Sequence, residues 1–435
     1  MVKKVHNWGI YPVIDADVIS VKYPESLPAI LAQNSSVIAQ GNGRCYGDSS
    51  LNSTMISTLA MNKILSFDKI NGHITCQSGV LLSDILQVIV PAGYFLPVTP
   101  GTKFITVGGA IAADIHGKNH HADGCFSNHI IRMSIMQQNG DIVTCNATTH
   151  TDIFRQTCGG MGLTGIIMQA TFSLKKIETS YISQKSLKAA NLEEIMDYFA
   201  ANEHYTYSVA WIDCLAKGDN IGKSILMLGE HSTLSELDTK RKANPLYFND
   251  KTKVSVPFYF PSFTLNALSI KAFNFLYYHK QFQKEVSSQI HYEPYFYPLD
   301  AILHWNKIYG KNGFTQYQFV LPMDGSRQGL NEILKAIADS GEGSFLAVLK
   351  LFGEADKDAI MSFPSRGYTL ALDFKISPKV LQLLNKLDDI VLHFGGRLYL
   401  AKDARMSKEF FHKTYDKIVQ RQEGFGSLQS QRLAI

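Results

Sequence analysis

The clearest element in this chain is a run of strict alternation. After Gly165, the residues Ile166, Met168, Ala170, Phe172 and Leu174 are apolar, with Gln169, Thr171 and Ser173 between them. A period of two predicts a half-buried β-strand. Ser36–Gln40 and His73–Gly79 read as further short strands. Leu81–Val90 has helical spacing, with Ser83 and Asp84 suited to its first turn and Pro91-Ala92-Gly93 placed to stop it. Throughout the first third, apolar strands alternate with glycine loops. From about Lys175 glycine thins out. Helical patterns then run over Leu192–Ala201 and Gly329–Ser340, and aromatic strand-like runs over Tyr205–Ile212, Phe314–Leu321 and Phe345–Phe352. Tyr368–Phe374 and Gly396–Ala401 are further strands, and the charged stretch Ser407–Gln422 reads as helix. The pattern predicts an α+β chain whose second domain holds an antiparallel sheet, with no internal repeat and no low-complexity linker.

Ser255–Tyr278 (SVPFYFPSFTLNALSIKAFNFLYY) stands apart. It is crowded with aromatics, carries one charge (Lys271), is broken by Pro257 and Pro261, and is flanked by lysines at 251, 253 and 280. Two readings remain open: a loop and helix covering the core, or a lid or membrane-interface segment, since aromatic and basic residues together favour the headgroup zone.

Composition narrows the class. The chain has 435 residues, 45% hydrophobic and 18% charged, which predicts two or three domains of a soluble globular protein. A formal net charge of +4 is too small to imply nucleic acid. Its six cysteines, at 45, 76, 125, 145, 158 and 214, include no CxxC pair, so they read as free thiols in a reducing compartment, with no metal site. The N-terminal stretch lacks the continuous apolar core of a signal peptide, and no window reaches the roughly 20 apolar residues of a membrane span. The expected location is the cytoplasm.

Three glycine clusters lie at Gly41–Gly47, Gly101–Gly117 and Gly159–Gly165. The second belongs to PGTKFITVGGAIAADIHGKNHH (Pro100–His121), where small residues run into Asp114, His116, Lys118, Asn119, His120 and His121. Small residues let a backbone approach a flat or anionic ligand, and imidazole, ammonium and amide groups after them can do chemistry on it. The plainer alternative is a close-packed helix followed by a polar turn. Gly41 and Gly43 are followed by Arg44-Cys45-Tyr46-Gly47, which does not open a helix, so a Rossmann fingerprint is excluded. No P-loop Lys-Ser/Thr pair is present. The first cluster reads instead as a backbone nest for a pyrophosphate, and three such loops around one site suit a large dinucleotide.

GNGRCYGD after a strand, then PGTKFITVGGAIAADIHGKNHH, then GGMGLTGIIMQATF, resembles FAD-linked oxidases of the vanillyl-alcohol oxidase type. HGKNHH, WNKIYG with FTQYQFVLP, SFLAVLKLFG and GGRLYLAKDAR narrow this to a resemblance to the decaprenylphosphoryl-β-D-ribose 2′-oxidase family, in motif order from about residue 8 to the last helix. That family is the flavoprotein half of a two-protein epimerase making the arabinose donor for cell-wall arabinan. The resemblance implies a two-domain fold: residues 1–178 binding FAD, 179–395 forming the substrate domain with a mobile or lid segment near 250–280, and 396–435 returning to the FAD domain. Carried over, Gly41, Asn42, Gly43, Arg44, Cys45, Tyr46, Gly47, Asp48 and Ser49 would receive the pyrophosphate. Gly101, Thr106, Val107, Gly108, Gly109, Ala113, Asp114, Ile115 and His116 would line the cofactor. Ile167 would touch the adenine side, and Tyr399 would return from the C-terminal segment. Many relatives attach FAD through a histidine in a GxGH turn; Arg44 stands at that place here, so the FAD is expected to be non-covalent.

The implied reaction moves hydride from a sugar carbinol to flavin N5. Lys402 is the first choice for the reacting hydroxyl, because a lysine desolvated beside a flavin has a lowered pKa and can take or relay a proton. His116 is the next, bonding the substrate or the flavin edge, and Tyr46 joins them. Lys118, Gln318, Lys350 and Ala371 match substrate-facing positions, with Trp211 as a pocket wall. Mycobacterial members carry cysteine where this chain has Ala371, so thiol-directed covalent inhibitors of that site should not react here; Thr369 and Phe296 also replace pocket residues. The implied partners are a polyprenyl-phosphate sugar, a short-chain NAD(P)H-dependent reductase and peripheral contact with the inner face of the membrane. A soluble alditol or aldonolactone oxidase of the same fold, using oxygen, is the alternative; a flavin-binding protein without turnover is a third.

Overall fold

A computed structural model describes residues 2–248, 254–261, 263–344, 346–356 and 359–435. The first half holds two main sheets, besides the short pair Tyr94–Phe95 with Lys175–Lys176. Four short strands, in the order Val2–Val5, Ile14–Ser20, Thr54–Ser57 and Ile38–Gln40, form a mixed sheet. Five antiparallel strands, in the order Ile64–Asp68, His73–Gln77, Ile166–Ser173, Ile130–Met136 and Ile142–Cys145, form the other. The helix expected over Leu81–Val90 runs Leu82–Ile89, with Asp84 in its first turn, and a short 3-10 turn then stops at Gly93 with φ 81°. That conformation is strained for any residue with a Cβ, which is why glycine ends the helix.

The strand Ile166–Ser173 is present but not half-buried. It is the centre of its sheet, so both faces are covered and only Gln169 is exposed. Its polar position Thr171 is tolerated there because its hydroxyl lies 2.9 Å from that of Thr75 on the neighbouring strand.

Past residue 180 the chain builds eight antiparallel strands, in the order Glu285–His291, Tyr181–Ala189, Ser224–His231, Tyr207–Ile212, Ala347–Phe352, Gly367–Lys375, Phe314–Pro322 and Arg397–Leu398. Phe345, expected in one of these strands, lies outside the described residues, as do residues 249–253 and 262 of the aromatic region. Helices Leu192–Ala201, Met323–Ser340 and Pro378–His393 cover one face, packing on Ala210, Ile212, Leu226, Leu228, Phe319, Leu349 and Leu370. The alternate residues of the same strands point the other way, toward the first half. The sheet therefore has one dry apolar face and one face free to build a site.

Two expectations for the C-terminal region are corrected. The strand at Gly396–Ala401 is only Arg397–Leu398, paired with Phe319 and Val320; the chain then turns, with Lys402 N–H donating to Tyr399 O at 3.0 Å. The helix expected over Ser407–Gln422 is only Lys408–Thr414. It ends because Tyr415 swings into the core, stacking on Phe411 and donating its hydroxyl to Leu398 O at 2.7 Å. A further helix, Leu428–Leu433, follows an irregular stretch that bridges Phe425 to Val37 in the first half.

Ser255–Tyr278 covers the core only in part, through Ile270. Helix Ala267–His279 buries Ile270 and Asn274, but Leu268 is 77% exposed, Leu276 68% and Phe275 57%; Phe258 and Phe263 before it are also exposed. The helix is held by Asn274, which donates to Asp213 at 2.6 Å, and by Tyr277, whose ring lies 4.6 Å from that of Trp211. No described helix is long and apolar enough to cross a membrane. The six cysteines are all free, and no group of potential metal ligands occurs among the described residues.

Candidate active site

One cavity of about 450 Å³ is walled by the glycine turns on one side and by the open face of the eight-stranded sheet on the other. At the glycine end, Gly41, Asn42, Gly43, Arg44, Cys45, Tyr46 and Ser49 line it, with Met161, Gly162, Gly165 and Ile167 nearby. No helix follows the first turn, in agreement with the absence of a Rossmann fingerprint.

Helix Val107–Ala112, capped by Thr106 accepting from Gly109 N–H, presents Gly108, Gly109, Ala112 and Ala113 to the cavity. Val107, Ala110 and Ile111 face the core. Gly101, Ile115 and His116 also line the cavity.

Four sequence expectations do not reach it. Val107 is fully buried in the core beneath the helix. Asp114 is fully buried, accepting from Ser127 N–H at 3.0 Å and Ser362 Oγ at 2.6 Å; it fastens the loop rather than the cofactor. Gly47 is glycine for another reason: a Cβ there would stand 1.9 Å from Asp403 O. It lets the first turn close against the C-terminal segment, a contact completed by Tyr46 N–H donating to Ala401 O at 3.0 Å. Asp48 is turned away to accept from Arg432 at 2.8 and 3.1 Å.

The wall fits a flat, phosphate-bearing cofactor such as FAD. A Cβ built on Gly101 would meet nothing within 4 Å, so this glycine opens onto free space. Ser78 Oγ, at the same wall, is buried without a protein partner. At the first glycine turn, the Arg44 guanidinium lies 3.9 Å from the centre of the Trp8 ring.

At the far end, Gln316 and Gln318, Val348 and Lys350, Ala371, and Val209 and Trp211 project from neighbouring strands. Gln318 Nε2 donates to His116 Nε2 at 3.1 Å and to Thr369 Oγ1 at 3.3 Å. The imidazole is caged by Phe352, Phe363 and Tyr399. Burial, with Lys350, His120 and Lys402 nearby, pushes its pKa well down, so His116 is neutral and positions Gln318. Tyr399 closes this corner, donating its hydroxyl to Ala113 O at 2.9 Å and stacking on Phe363.

Lys402 Nζ lies 4.0 Å from the centre of the Tyr46 ring, and burial lowers its pKa while Asp373 raises it in part. Tyr46 stays protonated, its pKa raised chiefly by burial and by Asp373. Gln316 Nε2 ties these groups together, donating to Tyr46 Oη at 3.3 Å and to Asp373 Oδ1 at 2.6 Å. Neither Gln316 nor Asp373 is among the residues predicted from sequence. Gln316 is two residues before Gln318, hence on the same strand face, and Asp373 is a lone acid in an apolar strand. Period two and buried charge are the signals that point to them. Asp300, also missed, joins the cavity wall while accepting from Thr102 Oγ1 and Lys103 N–H.

The model of an FAD binding domain family matches residues 22–146. Decaprenylphosphoryl-beta-D-ribose oxidase of Mycolicibacterium smegmatis is 36% identical over 428 residues, spanning 96% of this chain and 92% of that protein. L-gulonolactone oxidase of Mus musculus is 26% identical over 176 residues, 40% of this chain and 39% of that one. Among solved structures, wild-type Physcomitrella patens BBE-like 1 has a TM-score of 0.64 at 13% identity, covering 92% of this chain and 85% of its own. That likeness shows a shared fold.

Proposed function

The chain belongs to the decaprenylphosphoryl-β-D-ribose oxidase family of FAD-linked oxidoreductases, and we propose that it oxidises the 2′-hydroxyl of a polyprenyl-phosphate pentose to the 2′-keto sugar. The observation that carries this is one continuous cavity, which runs from the FAD wall to the Lys402, Tyr46 and Gln318 side chains. FAD, when bound, accepts the hydride of the carbinol carbon. Lys402 Nζ, deprotonated more readily because it is buried, takes the hydroxyl proton. Tyr46 and Gln318 orient the sugar, and Trp211 with Tyr277 limits access of water. In this reading residues 1–178 bind FAD, 179–395 hold the substrate, and 396–435 supply Tyr399 and Lys402. With Arg44 in place of a linking histidine, the FAD is non-covalent.

The exposed aromatic face of Ala267–His279, beside exposed Lys271, supports peripheral contact with an anionic membrane surface, where a polyprenyl substrate would reside. A keto product on the way to an epimer needs a hydride returned from the opposite face, the work of a separate NAD(P)H-dependent short-chain reductase.

The test is an anaerobic substrate screen. The purified protein should be yellow, release its flavin into the supernatant on acid denaturation, and bleach with polyprenyl-phosphoribose but not with xylitol or an aldonolactone. Bleaching by the neutral sugars alone would overturn the assignment.

A further inference from the structure

The substrate end of the cavity carries more positive charge than its walls neutralise. Lys118, Lys350 and Lys402 all line it. Among the described residues Lys350 Nζ has no hydrogen bond and no ion pair; it lies 5.9 Å from the centre of the Phe352 ring. Lys118 Nζ donates to the carbonyl of Tyr295 and lies 4.3 Å from the centre of that ring, but no carboxylate among the described residues pairs with it. The acid on the wall, Asp300, belongs to the glycine end, where it binds Thr102 and Lys103 N–H. Half-buried ammonium groups drawn into a cavity without counter-charges are costly, so their presence here calls for a ligand that supplies the missing charge.

We propose that Lys118 and Lys350 form an anion subsite that holds the phosphate of a lipid-phosphate substrate, with Lys402 left free to act on the sugar. The proposal rests on the reading of the cavity given above and names what anchors its substrate. The strand register separates the two tasks. Lys350 pairs with Thr369, and Gln316 with Asp373, at different steps of the same sheet. The phosphate step is therefore that of Lys350, and the hydroxyl step is Gln316 with Asp373 and Lys402. The electrostatics agree. Burial brings the Lys118 pKa down to about 7, with Lys350 adding to the fall, and that of Lys350 down to about 8, with Lys402 adding. An anion between them reverses both penalties. A neutral lactone or polyol has no group to do so.

Calorimetric titration of the FAD-loaded protein with farnesyl phosphate, farnesol, inorganic phosphate and methyl β-D-ribofuranoside tests this without turnover. Farnesyl phosphate should bind, and Lys350→Gln or Lys118→Gln should weaken it about tenfold or more, the loss of one charged hydrogen bond. Lys350→Arg should retain most of the affinity, which separates charge from packing. Tighter binding of farnesyl phosphate than of inorganic phosphate assigns the subsite to a lipid phosphate; equal affinity would overturn that part. Unchanged affinity in both glutamine variants would overturn the subsite itself. If polyprenyl-phosphoribose fails to bleach the wild type while the lysines still govern farnesyl phosphate, the anion subsite stands and the sugar assignment falls.

Discussion

The ammonium of Lys402 rests 4.0 Å above the ring of Tyr46, a residue from the opposite end of the chain. The contact follows from backbone pairing: Tyr46 N–H donates to Ala401 O at 3.0 Å, and Gly47 lets the two segments close. A cation over an aromatic face is held in place without being discharged. The amine is thus positioned, yet among the described residues no carboxylate sits at contact distance to keep it protonated. Lys402→Ala should leave the protein folded and yellow, because the FAD wall is untouched. Flavin reduction by substrate, followed in an anaerobic stopped-flow, should slow by about 10²–10⁴-fold, the usual worth of a general base. Reduction at the wild-type rate would remove Lys402 from the chemistry.

The same two segments are fastened by Arg432. Its guanidinium bonds Asp48 at 2.8 Å and Asp403 at 2.7 Å, and both carboxylates are buried. Arg432→Ala leaves two acids facing each other without a cation. With the arginine itself about a quarter exposed, the expected loss is ~2–4 kcal/mol, somewhat less than for a fully buried pair. Lys in its place reaches both acids poorly, since it lacks the planar fork. Urea denaturation should show Arg432→Ala well below wild type with Arg432→Lys between them. FAD retention on a desalting column should fall in the same order.

Local pattern makes some of this legible. Ser83, Asp84 and Gly93 bound a helix correctly because caps and stops act within a turn of the chain. The glycine turns read as non-Rossmann nests because the residues after Gly43 do not open a helix. What escapes is set by distant contacts. Val107 and Ala113 lie in the same stretch expected to line the cofactor, yet only packing against the five-stranded sheet decides which one faces the cavity. Gly47 and Asp48 lie in the predicted nest but serve the C-terminal segment, and nothing in their neighbours signals Arg432. The segment leading into Lys402 reads as strand because its apolar run, Leu398–Ala401, continues after the strand has ended. Tyr399 N–H already donates to Gln318 O at 2.9 Å, and the chain then bends.

Ala371 lines the cavity between Gln318 and Val348. The wild type does present one thiol there, Cys45, but burial raises its pKa and it lies 3.2 Å from Ser50 Oγ. A thiol kept protonated is a poor nucleophile. Wild type should therefore resist an aryl thiol-directed inhibitor, whereas Ala371→Cys should gain one adduct, seen as a single added mass and mapped by digestion to the Gly367–Lys375 strand. Modification of wild-type Cys45 at a comparable rate would contradict this.

Asp373 offers a test through stability. It is almost fully buried, and its carboxylate meets Gln316 at 2.6 Å and the Tyr309 hydroxyl at 3.4 Å. Burial raises its pKa; Gln316, Lys402 and Tyr309 only partly oppose the rise. A carboxyl with a raised folded pKa binds its proton more tightly when folded. It therefore stabilises fully below the unfolded value of about 4 and loses that stabilisation as pH climbs through the folded value, at about 1.4 kcal/mol for each pH unit that separates the two. Asp373→Asn keeps an acceptor for Gln316 but cannot ionise. The difference in melting temperature, variant minus wild type, should accordingly increase from pH 4 toward neutrality and then level off. A difference that stays flat over that range would mean that Asp373 is ionised throughout, its charge compensated by Lys402. In that case the amine would be held protonated and could not take the sugar's proton. The melting series therefore bears on the proposed base as well as on the buried acid.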